Sequence, residues 1–118
     1  MNLDERFEAI KDAVSALETT IKVAADAAGC HSAKECHDKL EEHRQLNDQA
    51  WIENAAHPGQ MTPAFKMFCE ARDKIDRNLV VHLYGSYNLL DEVNGGRHDG
   101  DIIVVLNDSN RALKAAME

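Results

Sequence analysis

Leu3, Phe7, Ile10, Val14, Leu17, Ile21 and Ala24 recur at alternating steps of four and three residues. That period lines one face of an α-helix. A chain that begins this way has to bury the stripe, either along a coiled-coil seam or, at about three heptads, inside an antiparallel bundle. The bundle is the expectation here. Gly29 then ends the helix, because glycine takes up a left-handed cap at little steric cost.

The rest of the chain reads as further helices. Ser32 followed by Glu35 has the spacing of a capping box, which starts a second helix over about residues 33–55. Its inward positions are Cys36, Leu40, Leu46, Ala50 and Trp51, with Glu41, Glu42, Arg44 and Asp48 in solvent. "HPGQMTP" is a turn that ends in Thr62 as cap and Pro63 in the first turn of a third helix. Phe65, Phe68, Ile75, Leu79 and His82 keep the three-and-four spacing, so the third helix is expected to run straight through "RNLVVHLY" at 77–84. Gly85 in "GSY" marks a break soon after, and "NGGRHDGD" is a loop. "DIIVVLND" has the composition of a strand. Capped by Asp101, however, Ile102, Val105, Leu106, Leu113 and Ala116 make a helical face, and a lone strand has nothing to pair with. The expected fold is a single all-α domain over 1–118, an antiparallel four-helix bundle, with residues 94–118 its least determined part.

Composition removes several classes of function. The apolar runs are too short to cross a bilayer, and the opening "MNLDERFE" is acidic where an export signal is basic and then apolar. Cys30, Cys36 and Cys69 are an odd number without a disulfide framework, so reduced thiols and a cytoplasmic location are expected. A net charge of −8 argues against broad charge-driven binding of nucleic acid, leaving only a local contact. "CHSAKECH", with Cys30, His31, Cys36 and His37 and with His43 beyond, fits no common zinc spacing. Buried cysteines beside exposed histidines are expected there, with neither metal nor cofactor. His57 and His98 fall in loops and are read as solvated.

Chemistry concentrates in "RNLVVHLY". His82 can exchange a proton near neutral pH, and Arg77 carries a permanent charge on a fork of donors that fits a phosphate. Together they suffice to cleave RNA without a metal. The histidine serves the ribose 2′-hydroxyl or the leaving oxygen, and the arginine the charge that develops on phosphorus. Asn78 lies one helical turn before His82 and can orient the imidazole, while Arg77 reaches round from the flank or from a second subunit.

These residues resemble the R-N-x-x-x-H signature of the HEPN superfamily, and the run to Tyr84 resembles the R-x4-H-x-Y form of the HepT ribonuclease toxins. The resemblance covers eight residues and, beyond them, the order of helices. It implies a symmetric dimer with the two motifs lining a cleft at the interface and a third helix carrying them. Arg77 and His82 would be catalytic, Asn78 a supporting residue, and Tyr84 the tyrosine to which a cognate nucleotidyltransferase antitoxin transfers AMP. The substrate would be RNA.

Two other classes compete. "LYGSY" followed by "DGDIIVV" resembles a minimal nucleotidyltransferase, with Gly85 and Ser86 cradling phosphates and Asp99 and Asp101 on Mg²⁺. That needs adjacent strands at 79–84 and 102–106, with too little chain left to complete a sheet. The third class is an acidic helical module that dimerises or binds a basic partner without chemistry. In a ribonuclease Arg77 and His82 converge on a cleft with room for a phosphate; in the interaction module they need not.

Overall fold

The computed structural model describes residues 2–96 and 100–118. Among them are five helices, α1 Leu3–Ala28, α2 Ala33–Ala56, α3 Pro63–Lys74, α4 Arg77–Asn94 and α5 Ile102–Ala116, and no strand. The all-α bundle expected from the sequence is present, and 102–106 is helical.

Each helix begins on a side-chain cap. Asn2 and Glu5 form a reciprocal capping box at α1, which sequence reading missed. At α2 the Ser32 hydroxyl accepts from the Glu35 amide, while Glu35 reaches past the cap to accept from the His31 amide. Thr62 accepts from the Phe65 amide with Pro63 in the first turn of α3, and Asp101 accepts from the Val104 amide at α5. Gly29 closes α1 in the left-handed region at φ 70°, donating to the Ala25 carbonyl.

Two expectations about the middle of the chain are corrected. The third helix does not run into "RNLVVHLY". Ile75 turns extended, at φ −115° and ψ 126°, and Asp76 caps a new helix, α4, that starts at Arg77. The motif therefore sits at a helix N-terminus, on the fourth helix instead of the third. Nor does the chain break at Gly85: α4 continues to Asn94. Leu83, Ser86, Leu90 and Val93 are buried around that glycine. Their packing outweighs the roughly 1 kcal/mol that glycine costs a helix.

The core lies where α1, α4 and α5 meet the start of α2. Leu17, Leu83, Leu106 and Leu113 are fully enclosed there, with Val80, Cys30 and Cys36 beside them. Polar bonds fix the helix registers: Thr20 bonds Asn110 across α1 and α5, and Ser86 bonds Ser109 at 2.9 Å across α4 and α5. α1 packs on α4 and α5, whereas α2 packs on α3 and α4. α1 and α2 thus diverge from the Gly29 turn, and α4 lies across their junction, where the Tyr87 hydroxyl donates to the Cys30 carbonyl at 3.2 Å.

The result is long, 64 × 24 × 19 Å, with a radius of gyration of 18.4 Å. A compact domain of this length has about 13–14 Å. Both ends project. Leu3 and Phe7, expected inside the bundle, are 66% and 59% exposed, so the first turns of α1 stand clear of the core among the described residues. The outer half of α2 carries α3 as an arm, and on it Trp51, expected to face inward, is 69% exposed beside Ile52 at 71%. No helix among the described residues is long and apolar enough to cross a membrane.

Candidate functional site on α4

The start of α4 is set by Asp76, whose carboxylate accepts from the Leu79 amide at 3.1 Å. The positive end of the helix then falls at Arg77 and Asn78, where anions are favoured. Both residues are exposed. Leu79, Val80 and Leu83 anchor the opposite face in the core, so the polar residues ride on a helix packed from below.

Arg77 and His82 leave the helix on different flanks. Five residues at 3.6 per turn put them about 140° apart. Arg77 lines a groove against α2, together with His37, Leu40, Glu41, His43, Arg44, Asn47 and Val81. His82 is not part of that lining and stands half-buried on the other side of α4. Neither side chain makes a hydrogen bond, ion pair or ring contact among the described residues. His82 is therefore not a hydrogen-bonded core histidine, and Arg77 is not spent on a surface ion pair. Asn78 sits one turn before His82 on the exposed side, as the spacing requires.

Tyr84 is half-buried, its ring 6.0 Å from that of His37. Between Arg77 and His82 the outward face holds Val81, which is 42% exposed, and Gly85, where an added Cβ would meet nothing within 4 Å. That face is open to approach by another helix.

The groove beside Arg77 brings in residues with no local signal in the sequence. Arg44 is gripped by Glu41 and by Asp48, the latter at 2.8 Å, and the bond from Arg44 holds the Glu41 carboxyl below its usual range. His43 packs its ring 5.3 Å from that of Phe68, and its Nε2 is buried without a hydrogen-bond partner among the described residues. Only the long-range pairing of α2 with α4 places these groups next to the motif.

The competing constellations fare differently. Ser86 is buried and bonded to Ser109, which takes it away from any phosphate, and 79–84 and 102–106 are helices where a nucleotidyltransferase core needs strands. Asp99 and His98 lie outside the described residues. Cys30 and Cys36 are fully buried while His31 and His37 are exposed, beside Asp26 and Asp38. No group of three or more potential metal ligands forms among the described residues. His57 is exposed, as expected of a loop residue. Neither a family model, nor a curated protein, nor a solved structure matches the chain.

Proposed function

We propose that the chain is a metal-independent endoribonuclease of a toxin–antitoxin or defence system, acting as a homodimer in which two copies of α4 face each other, as the HEPN resemblance implies. The observation that carries this reading is the state of Arg77 and His82: both stand on one helix, and neither is committed to a structural bond among the described residues.

One protomer cannot aim both groups at one phosphate, given the angle between them. The register of α4 offers a remedy. The level midway between Arg77 and His82 is also midway between Asn78 and Val81, both exposed on the outward face. A two-fold axis at that level sets Arg77 of one protomer near the partner's His82, and Asn78 against the partner's Val81, twice over. The open space at Gly85 lets the two helices close up.

In such a cleft a neutral His82 takes the proton of the ribose 2′-hydroxyl as the oxygen attacks phosphorus. The bond from phosphorus to the 5′-oxygen breaks, that oxygen takes a proton from an imidazolium, and the products are a 2′,3′-cyclic phosphate and a 5′-hydroxyl. Arg77 stabilises the charge on the phosphoryl oxygens, Asn78 steadies the imidazole, and no metal takes part. Tyr84, partly accessible beside His37, is the position at which a nucleotidyltransferase antitoxin would attach AMP.

The test is cleavage of bulk RNA in EDTA by the wild type and by Arg77→Ala and His82→Ala. Cutting is expected, with cyclic-phosphate ends and a loss of about 10²–10⁴-fold in each variant. A second reading, a non-catalytic interaction module, draws on the exposed Trp51, Ile52, Met61 and Met67 of the α2–α3 arm. It is favoured if the dimer forms and no RNA is cut. Cutting only with Mg²⁺ contradicts the mechanism.

A further inference from the structure

Among the described residues α3 has one substantial neighbour, α2, and Ala64 is its only buried residue. An αα-hairpin cannot enclose its own apolar face and needs further helices to do so. This hairpin is nonetheless preformed. Thr62 caps α3, and the Glu53 carboxylate on α2 accepts from the Ala64 amide at 3.3 Å. Trp51, Phe65 and Phe68, half of the chain's phenylalanine, tyrosine and tryptophan residues, meet on it. They wall a slot of about 210 Å³, with Asn47 and Asn54 also in its lining. The slot is smaller than small-ligand sites of about 300–1,000 Å³ and has room for a side chain. Trp51 itself stands exposed at its edge.

A surface that carries both a projecting indole and a slot for a ring can face a copy of itself. Charge favours the same occupant. The chain carries −8, but residues 44–75 hold four basic and four acidic side chains and are neutral. Two copies therefore repel each other over the rest of their surfaces and not here. A basic partner, by contrast, is drawn to the acidic remainder of the chain.

We propose that the α2–α3 arm docks on the arm of a second copy about a two-fold axis, the four helices closing into a bundle with each Trp51 seated in the partner's slot. Each indole packs there on the partner's Phe65 and Phe68, and the two indoles lie side by side at the axis. The contact is separate from the pairing of α4 and does not rest on the ribonuclease reading. Of the residues lining the slot, only Asn47 also borders the groove beside Arg77.

Trp51 is the only tryptophan, so its emission reports on the arm alone. The test follows that emission over a dilution series of the full chain, with sedimentation equilibrium giving the oligomeric state at each concentration. A blue shift that grows with association is expected, because the indole leaves water. Trp51→Ser is expected to weaken the association step that the shift accompanies by at least about 30-fold, the effect of an aromatic anchor. Asn54→Glu, a change at an exposed position, sets two carboxylates against each other across the axis. It is expected to move the emission transition to at least about tenfold higher concentration while helix content by circular dichroism is kept. Emission that stays constant while the chain associates, as pairing through α4 alone would give, overturns the arm contact and leaves the α4 reading standing. A chain that stays monomeric overturns it as well. So does a shift that survives Asn54→Glu unmoved, or association unchanged in Trp51→Ser.

Discussion

The Asp76 carboxylate accepts a hydrogen bond from the Leu79 amide at 3.1 Å, and that bond places Arg77 in the first turn of a helix. Asp76→Ala is expected to cost about 1 kcal/mol, the usual worth of an N-cap, and to fray the turn that carries Arg77 and Asn78. Asp76→Asn keeps the acceptor and should stay near wild type. Chemical denaturation of the three proteins checks the order; equal stabilities would mean the cap does not hold the turn.

Tyr87 ties α4 to the hinge between α1 and α2 through the Cys30 carbonyl. Burial pushes the Tyr87 hydroxyl above its ordinary range, with the nearby Cys36 and Cys30 thiols adding to the effect. Tyr87→Phe removes the donor and strands a buried acceptor, so a loss of about 1–2 kcal/mol is expected. Amide exchange around residues 28–32 should speed up before the rest of α1 does. Unchanged exchange there would show that the bond contributes nothing to the junction.

Cys36 gives the fold a dependence on alkaline pH. Burial first, and then its hydrogen bond and proximity to Cys30, push the Cys36 thiol up to about 12. A thiol in the unfolded chain ionises near about 8.5. Between those values the folded state holds a proton that the unfolded state has lost, so stability falls as pH rises through that window and is flat below it. Thermal melts should drop above about pH 8.5, and Cys36→Ala should reduce that slope even if it lowers the melting temperature overall. In the native protein a thiol reagent at neutral pH should reach the half-exposed Cys69 well before the buried Cys30 and Cys36. Three equally fast thiols would contradict this packing.

Gly85 lies within α4 with open space where a Cβ would go. Gly85→Ala should raise the stability of the isolated protomer by about 0.5–1 kcal/mol through helix propensity alone. A decrease instead, growing with protein concentration, would place a close neighbour against that face.

How far the sequence could be read follows from how local each signal is. The α1 stripe, the Gly29 stop and the Thr62–Pro63 start depend on adjacent residues, and each is where its local chemistry puts it. The helix break at Ile75–Asp76 was hidden because Phe68, Ile75 and Leu79 keep helical spacing across it, although an aspartate three residues before Leu79 is itself a cap signal. Gly85 misled in the other direction, since its helical state is decided by core contacts of Leu83, Ser86 and Leu90. Arg77, Asn78, His82 and Tyr84 are legible as a motif because they fall within eight consecutive residues. The placement of His37, His43 and Arg44 opposite Arg77 depends on how two distant helices pair, which no local pattern encodes. Exposure of Phe7 and Trp51 likewise depends on which helices fail to reach them.

The claim that Arg77 and His82 act together across two subunits is tested by mixing the Arg77→Ala and His82→Ala proteins, unfolding and refolding them together, and assaying RNA cleavage in EDTA. Random pairing makes half the dimers mixed, and each mixed dimer regains one complete site, so recovery of about a quarter of wild-type activity from two inactive proteins is expected. Activity that stays at the level of the separate variants would contradict a site shared between protomers.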